Sequence, residues 1–557
     1  MSAPTRPGLA LSALLLAPLA PLAAVAPAAA QPADTILSNG KLVTLDAKSS
    51  IAQAIAVADG RILAVGDNAT IARLAGPHTR RIDLHGRTVI PGLIDSHIHG
   101  IRAGLFTTSE VNWIGTRSIA EAMARLTEAA KGQPQDHWLI VAGGWSENQF
   151  AEHRLPTQAE IAAAAPGHPI YIQHFYDSVL LSPAGMASLH IAADTDIPGK
   201  GHLENTPDGR PSGWISGNVP AITGMFDKLP VPTEAQSLSG TIEFFHDMNR
   251  LGVTGIDDPG GFNITAASYR PLFQIWHEGK LTMRVRFSMF AQRRGHELED
   301  YKASLGVMPM GFGDDMLRFN GIGENVDWAM YNNDHPNDAA KAEYRAIAEW
   351  AASNGLTVTQ HWYMNTAVDS LLDIFEEVNK THPIAPLRWS IAHLNDASDA
   401  TLARMKKLGV GWTLQDATYF DGERMKDEIG ADAMRRVPPM VTAAKMGVVI
   451  GGGTDAHRVN SYNPFSSLQW MLDGLTVGGM KTRDAAELPS REQALRFYTL
   501  GSAWFSFDDA KRGSLEPGKQ ADLAVLDQDY MSVPTERIGR TQSVLTMLGG
   551  KIVYEAK

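Results

Sequence analysis

The sequence predicts an α/β fold: a (β/α)8, TIM-like barrel, with a small β-sandwich formed from both chain ends and a large insertion after the first barrel strand. Strand-like segments separated by turns occupy both ends of the chain, at residues 31–91 and 511–557. Between them, residues 92–510 alternate strand-like and helix-like segments. That alternation is typical of a parallel sheet covered by helices.

Short strands and hairpin turns recur at both ends of the chain. Asn39-Gly40 and Asp59-Gly60 are turn signals between the apolar segments of residues 31–91. The apolar segments 521–526 and 543–548 give the other end the same texture. Neither end alone could bury much apolar area. We therefore predict one composite β-sandwich domain made from both ends, rather than two separate caps.

Eight segments have strand character, which is the number that a (β/α)8 barrel requires. They are Thr88–Leu93, Val253–Ile256, Met283–Met289, Leu317–Ile322, Thr357–Gln360, Trp389–Ala392, Gly411–Leu414 and Val448–Ile450. A helix with an apolar stripe is predicted at Thr366–Val378. Residues 104–250 are too many for a simple loop between the first two strands. We predict that they form an inserted α/β subregion over the barrel mouth.

Residues 1–30 have the composition of a secretory signal peptide. Arg6 precedes an uncharged run of Ala, Leu, Pro and Val, and Ala28-Ala29-Ala30 offers a small-residue cleavage site before Gln31. A membrane anchor is the alternative, but prolines interrupt the run, and a spanning helix needs roughly 20 mostly apolar residues. We predict a cleaved signal, no stable membrane span after cleavage, and a periplasmic or secreted bacterial protein.

Composition narrows the class of partner and the type of site. The formal net charge of -12 argues against a general nucleic-acid binder, which needs a basic surface. We expect a small-molecule substrate. The composition does not decide whether the protein forms a homo-oligomer. The chain has no cysteine, so any metal site must use nitrogen and oxygen ligands.

Four histidines and one aspartate stand at the ends of predicted strands. They are His97, His99, His361, His393 and Asp455. In a (β/α)8 barrel the carboxyl ends of all strands meet at one mouth, so side chains far apart in sequence come together. His97 and His99 are two residues apart and point the same way in an extended chain. We predict that these five residues form a metal site.

The ligand types indicate hydrolytic chemistry. Imidazole and carboxylate suit Zn²⁺, Fe²⁺ or Mn²⁺, and zinc is the default for hydrolysis, as one or two ions. A bound divalent ion lowers the pKa of its water to about 7 and polarises a carbonyl oxygen. We assign catalysis to Asp455 and His393, with Asp455 taking the proton from water and passing it to the leaving group. Asp95 is interpreted as structural rather than as a ligand.

Four motifs together resemble the amidohydrolase superfamily. They are Pro91–His99, Ile391–His393, Gly453–Ala456 and the returning segment Gly513–Leu523. The segment 143–148 and the large insertion are similar to the branch that contains N-substituted formamide deformylase. The resemblance implies metal-site roles for His97, His99, His361, His393 and Asp455, and a proton-shuttle role for Asp455.

The sequence departs from this branch in two places. Many relatives carry a lysine at the end of the fourth strand, which can be carboxylated to bridge two metals, whereas residues 319–324 contain none. Glu324 either supplies a metal-binding carboxylate directly or is a solvated or capping residue, with a single metal in the site. Relatives often have a histidine in the segment matching residues 175–178, where Asp177 is nearest and His174 precedes it.

Four residues are candidates for substrate binding: Trp145, His174, Asp177 and His457. Trp145 lies in a glycine-rich turn and either walls the pocket or packs in the interior. His457, two residues after Asp455, either contacts substrate or lies at the rim. Residues 332–335 are predicted to be a polar loop near the mouth.

The function favoured by these residues is hydrolysis of a C–N bond in an amide, N-acyl or formamide-like compound. A carboxylic ester or lactone hydrolase uses the same activated water, and a deaminase also fits the scaffold. A periplasmic small-molecule binding protein on the same scaffold is the non-enzyme alternative.

Overall fold

The computed structural model describes residues 31–192, 194–197 and 199–557. The predicted signal peptide therefore lies outside the described residues. Among the residues described, no helix is both long enough and apolar enough to cross a membrane.

Eight parallel strands form the centre of the molecule. Numbered along the chain, they are β1 (Leu93–Asp95), β2 (Val253–Asp258), β3 (Arg284–Met289), β4 (Leu317–Ile322), β5 (Thr359–Trp362), β6 (Ser390–His393), β7 (Gly411–Gln415) and β8 (Ile450–Gly453). They pair as two four-stranded sheets, in the orders β4-β3-β2-β1 and β5-β6-β7-β8. An α/β architecture is therefore present.

The two sheets are hydrogen-bonded to each other at both edges. On one side the Ile322 N–H, at the end of β4, donates to the Thr357 carbonyl at 2.9 Å, just before β5. On the other side the Ser96 N–H, after β1, donates to the Gly452 carbonyl of β8 at 3.0 Å. Each of the eight strands therefore has a hydrogen-bonded neighbour on both sides, if these two bonds between the sheets are included.

The predicted first strand, Thr88–Leu93, is in fact two strands. Thr88–Pro91 pairs outside the central sheets, and β1 begins after Gly92. A side chain at Gly92 would meet the Thr254 side chain, because a Cβ there would lie 2.3 Å from Thr254 Oγ1. The Pro91-Gly92 step thus lets the chain pass from one sheet to the next with close backbone contact.

Both chain ends contribute to one six-stranded sheet. Thr88–Pro91 lies at its middle and pairs in parallel with Lys41–Val43 and antiparallel with Leu523–Leu526. The other strands of this sheet are Ile51–Ala52, Ser543–Leu548 and Lys551–Glu555. A four-stranded sheet of Ala33–Ser38, Ala54–Ala58, Arg61–Gly66 and Ala75–Asp83 packs with it through shared buried apolar side chains.

The region between β1 and β2 contains a five-stranded sheet of its own. Its strands are Leu139–Val141, Ile170–His174, Ser178–Leu181, His202–Asn205 and Pro211–Ser216. Separate apolar clusters lie on either side of this sheet, including Trp113, Ile161 and Leu180 in one and Tyr171, Ile215 and Phe226 in the other. The region therefore has its own core.

Helices cover the strands. The α-helices are Asn68–Ala72, Gly100–Phe106, Ile119–Ala130, Gln158–Ala164, Pro183–Ser188, Val219–Phe226, Glu234–Arg250, Arg270–His277, Glu297–Leu305, Asp338–Ser353, Val368–Thr381, Asp399–Leu408, Ala417–Ile429, Ala431–Met434, Met440–Met446, Pro464–Asp473, Arg491–Arg496 and Ser502–Phe505. The helix predicted at Thr366–Val378 is observed at Val368–Thr381, and its stripe residues Leu371, Leu372 and Phe375 are fully buried. Such a stripe packs the helix against the central sheets.

A buried charge network joins the start of the central strands to the C-terminal segment. Asp508 is paired with Arg286 of β3 at 2.8 Å, Arg318 of β4 at 2.9 Å and Arg512 at 3.0 Å. Burial alone would raise the pKa of Asp508, but these three guanidiniums outweigh it and hold that pKa well below its usual value. Asp508 is therefore ionised throughout the neutral range.

Replacement of Asp508 by Ala should destabilise the protein by about 3–5 kcal/mol, because it leaves three guanidiniums buried without their counter-charge. Denaturant unfolding at pH 7 measures the loss. Since the folded-state pKa of Asp508 is depressed, its contribution is present above its unfolded pKa of about 3.9 and disappears as pH falls below that. Asp208→Ala, which breaks an exposed pair with Arg210, is the control and should change stability little. Equal effects of the two variants would contradict this account.

Candidate metal centre

The ends of five central strands carry the candidate ligands to one place. His97 and His99 follow β1, Glu324 follows β4, His361 lies in β5, His393 ends β6 and Asp455 follows β8. Because the strands are parallel, their carboxyl ends lie on the same side of the sheets. All six side chains therefore meet there.

Glu324 lies among the four imidazoles. Its Oε2 is 3.0 Å from His361 Nδ1, 3.1 Å from His393 Nε2 and 3.3 Å from His97 Nε2. Its Oε1 is 3.4 Å from His99 Nε2. Only 4% of Glu324 is exposed, so the carboxylate does not act as a solvated or capping residue.

Asp455 lies near three of these four imidazoles. Its Oδ1 is 3.1 Å from His99 Nε2 and 3.6 Å from His97 Nε2, and its Oδ2 is 3.8 Å from His393 Nδ1. One ligand atom from each of His97, Glu324, His393 and Asp455 lies within 4.8 Å of the others. These atoms are close enough to share an ion.

The backbone at two of these residues is strained. His393 has φ 66° and Asp455 has φ 54°, in the left-handed region that non-glycine residues rarely adopt. Such conformations cost on the order of 1–3 kcal/mol each and persist where the surroundings impose them. Two residues before Asp455, Gly453 is required because a Cβ there would lie 2.8 Å from the backbone nitrogen of His97.

The donor set fits a divalent cation. His97 is 0% exposed and neither of its ring nitrogens has a hydrogen-bond partner. His99 Nδ1 lies against the Gly260 carbonyl, which can only accept, so Nδ1 carries the proton and Nε2 turns towards Glu324 and Asp455. A lone pair facing carboxylates is repulsive unless a proton or a metal ion lies between them.

Two further residues orient the ligands. Asn332 Nδ2 lies 2.8 Å from His361 Nε2, and its Oδ1 accepts from the Tyr363 N–H at 2.9 Å. Asp95 accepts from the Thr454 hydroxyl at 2.6 Å and from the His97 N–H at 3.1 Å, and burial raises its pKa to about 7. Asp95 therefore ties the β1 and β8 ends together and does not point at the ligand cluster.

The charges of the site favour a protonated His97 imidazole when no cation is present. Burial opposes protonation of His97, but the carboxylates of Glu324 and Asp455 outweigh it and raise its pKa to about 10. Burial likewise opposes ionisation of Asp455, and the imidazoles of His393, His97 and His99 hold its pKa well below its usual value. The carboxylates are thus ionised and need positive charge beside them.

A cavity of about 380 Å³ opens onto these ligands. Asp177, which the sequence predicts to bind substrate, lines this cavity together with the aromatic side chains of Phe175, Tyr176, Phe262, Tyr331 and Tyr363. Burial raises the pKa of Asp177. Arg424 lies at the same cavity, held by Asp421 and Glu428.

Trp145 is away from this cavity, which corrects the expectation that it binds substrate. It is 1% exposed and packs against Trp113 and Phe150 in the core of the inserted region. Its indole N–H donates to the Gln173 carbonyl at 2.9 Å. The glycine-rich turn therefore directs the ring inward, where its area is best buried.

His174 and His457 do not line the cavity either, which corrects two more expectations. His174 Nε2 lies 2.8 Å from Glu147, within the inserted region. His457 is 3% exposed, and its Nε2 lies 2.7 Å from Glu110. Each imidazole is held by a carboxylate that has no part in the ligand cluster.

Other residues of the site were missed by the sequence reasoning. The Tyr331 ring stacks on the His361 imidazole, with centroids 4.4 Å apart and planes at 16°. Arg102 and Phe262 line the cavity from the segments after β1 and β2. The polar loop at 332–335 hinted at the position of Tyr331, but nothing in the local sequence marks the other two.

A model of the amidohydrolase family matches residues 80–554. The chain belongs to the amidohydrolase family. Family membership confirms that this amidohydrolase is a hydrolase, as the sequence predicted, and the family together with the ligand cluster supports a divalent metal.

Related proteins match this amidohydrolase over almost its whole length. N-substituted formamide deformylase from Arthrobacter pascens is 26% identical over 94% of this chain and 98% of its own. The protein LONG AFTER FAR-RED 3 from Arabidopsis thaliana is 25% identical over 96% of this chain and 94% of its own. An uncharacterized metal-dependent hydrolase from Pyrococcus horikoshii OT3 has a similar fold, with a TM-score of 0.65, 22% identity, and coverage of 90% and 99%.

Metal binding to the metal-free amidohydrolase should release protons at neutral pH. With its pKa near 10, His97 is protonated there and must lose its proton before its nitrogen can bind a cation. Apparent affinity should therefore rise with pH up to about that value. Calorimetric titration in buffers of different ionisation enthalpy counts the protons, and His97→Asn should release about one fewer. A binding enthalpy independent of the buffer would contradict the prediction.

Proposed function

We propose that this amidohydrolase cleaves the C–N bond of an amide, N-acyl or formamide-like compound with a divalent cation, zinc. The observation that carries the proposal is the convergence of four imidazoles on Glu324, three of which also face Asp455, beside a cavity. Similarity to N-substituted formamide deformylase supports an amide-type bond.

The proposal includes the barrel and the number of ions. The hydrogen bonds across both edges of the two sheets support a single closed (β/α)8 ring. Glu324 presents Oε2 to His361 and His393 and Oε1 to His99, which supports a site in which Glu324 would be a ligand of both cations if two were bound. In that arrangement Glu324 would take the place of the carboxylated lysine of relatives, and His97 and Asp455 would complete the ligand set.

The chemistry then divides between the cation and the chain. A divalent cation bound here lowers the pKa of water and polarises a carbonyl oxygen. Asp455 is ionised, because the surrounding imidazoles hold its pKa below its usual value, so it can accept a proton from the attacking water. It then returns this proton to the leaving nitrogen. Asn332 and Tyr331 keep the His361 ring in place during these steps.

We also propose that residues 1–30 are removed during export, which makes the protein periplasmic or secreted. The uncharged run after Arg6 and the alanines before Gln31 support this. Mass analysis of the protein recovered from outside the cytoplasm should give an N-terminus close to Gln31.

Metal-loaded protein should hydrolyse members of a panel of formamides, N-acyl amino acids and simple amides. Asp455→Asn should lower kcat at least roughly a hundredfold, because the proton acceptor is lost. Parallel assays with esters, and assays for ammonia, separate amide hydrolysis from the ester-hydrolase and deaminase alternatives. Absence of turnover for every amide by metal-loaded protein would overturn the proposal.

Glu324→Gln should lower the metal content of the purified protein, because a neutral amide cannot replace a carboxylate shared by four imidazoles. Elemental analysis after equilibration with zinc measures the stoichiometry, which should fall from two to one or none. Glu428 lines the same cavity without contacting the imidazoles, so Glu428→Gln is the control and should keep the metal. Equal stoichiometry in both variants would contradict the bridging role.

A further inference from the structure

A second cavity, of about 450 Å³, lies beside the metal cavity and contains two buried arginines. Arg102 and Arg458 both line it, and they are 2% and 1% exposed. Arg102 and Phe262 line both cavities, so these two side chains form a common wall. The site of chemistry and the second cavity are therefore immediate neighbours.

The two guanidiniums have donors without acceptors. Arg102 donates Nη2–H to the His457 carbonyl at 2.6 Å, but its Nε–H has no hydrogen-bond partner. Arg458 lies 3.8 Å over the Phe226 ring, and neither its Nε nor its Nη1 has a partner. Burial and the nearby Arg102 charge lower the pKa of Arg458 to about 10, so this side chain is still charged at neutral pH. Two buried guanidiniums with unused N–H donors are costly unless an anion joins them.

The carboxylates near the pair bind other groups of the protein. Asp227 lines the cavity and lies near Arg458, and it accepts a hydrogen bond from Asn263. Asp258 lies near Arg102, but its oxygens are used by the N–H groups of Ile101 and Gly260, each at 2.8 Å. Glu234 lies at the exposed edge, paired with Arg270. Neither Asp227 nor Asp258 forms an ion pair with Arg102 or Arg458, so the unpartnered N–H groups of the two guanidiniums can bind an anion.

The pair also lies close to the ligand cluster. A methyl group at Gly261 would be 3.1 Å from His99 Nδ1 and 3.3 Å from Arg102 Nη1, so the imidazole and the guanidinium flank the same residue. Arg102 Nη1 lies 3.5 Å from the Tyr176 hydroxyl, and Tyr176 lines the metal cavity. Arg102 therefore faces both the ligand cluster and the second cavity.

We propose that Arg102 and Arg458 bind a carboxylate of the substrate, which makes the substrate an N-acyl amino acid or a similar carboxylate-bearing amide. The inference rests on the proposed C–N hydrolysis and adds the substrate class. The other walls of the second cavity are largely apolar and accept an apolar substituent: Leu105, Phe106, Phe226, Leu229, Phe262 and Ile264. Paired guanidiniums suit a carboxylate because their N–H groups form a fork that matches its two oxygens.

The test compares matched substrate pairs. Metal-loaded protein is assayed with the N-acetyl and N-formyl derivatives of leucine and phenylalanine, in both enantiomers, and with the corresponding C-terminal amides. The acids should be preferred in kcat/KM by at least roughly tenfold, because only they offer charge-assisted hydrogen bonds to the arginines. Arg458→Met should reduce this acid-to-amide ratio by roughly tenfold to a hundredfold. Any loss common to both substrates cancels in the ratio.

Two variants serve as controls for the substitution. Arg270→Met removes an arginine of the same cavity that is exposed and already paired with Glu234, and it should leave the acid-to-amide ratio within about threefold. Should Arg458→Met fail to fold, Arg458→Lys keeps the charge but loses the planar fork and should give an intermediate ratio.

A binding measurement separates this inference from the proposed function. Calorimetry with the Asp455→Asn variant should show that it binds N-acetylphenylalanine, and that it binds the C-terminal amide of this compound more weakly. The double variant Asp455→Asn, Arg458→Met should not bind N-acetylphenylalanine. Hydrolysis of the N-acyl amino acids and of their C-terminal amides at equal kcat/KM would overturn the carboxylate site and leave C–N hydrolysis standing. Arginine-dependent binding of the acid without any turnover would overturn the hydrolysis and keep the site. Inhibition of amide hydrolysis by inorganic phosphate, with no gain for the acids, would make the pair an effector site and overturn the substrate assignment.

Discussion

The rest of the site depends on the contacts between the buried carboxylate of Glu324 and the four imidazoles around it. A buried carboxylate is tolerated only when positive charge compensates it, and here every nearby partner is an imidazole that can either hold a proton or bind a cation. The strand ends, the strained backbone at His393 and Asp455, and the supports from Asn332 and Asp95 all hold this arrangement. The parallel strands exist, functionally, to bring these groups together.

Stability and chemistry lie at opposite ends of the central strands. Arg284 and Arg286 stand at the start of β3 and pair with Asp522 and Asp508 of the C-terminal segment. The candidate metal ligands lie at the ends of β5 and β6 or follow the ends of β1, β4 and β8, on the other side. This separation lets the charged network be optimised for holding the chain together, whereas the ligand end can keep strain and unbalanced charge.

Sequence reasoning found the ligands because their signal is local. A histidine or aspartate directly after an apolar strand can be recognised from its neighbours, and His97, His99, His361, His393 and Asp455 all meet in space. Glu324 was ambiguous, since a ligand and a cap look alike until burial is known.

Other features depend on what packs around them. Trp145 turns inward against Phe150 and against Trp113, which is distant in sequence. The Pro91-Gly92 step divides a strand that composition alone would continue. The Arg102–Arg458 pair has no sequence signal, because the absence of a partner is a property of the folded chain.

The position of Thr88–Pro91 affects how the chain acquires its structure. This strand is paired on one side with Lys41–Val43 and on the other with Leu523–Leu526, so two neighbours of one strand are separated by most of the polypeptide. Contacts between such distant segments form late, because a long loop must close first. The N-terminal half of the six-stranded sheet consequently keeps an open edge until Leu523–Leu526 pairs with it. During that interval the folding chain exposes unpaired backbone and depends on whatever shields it from aggregation.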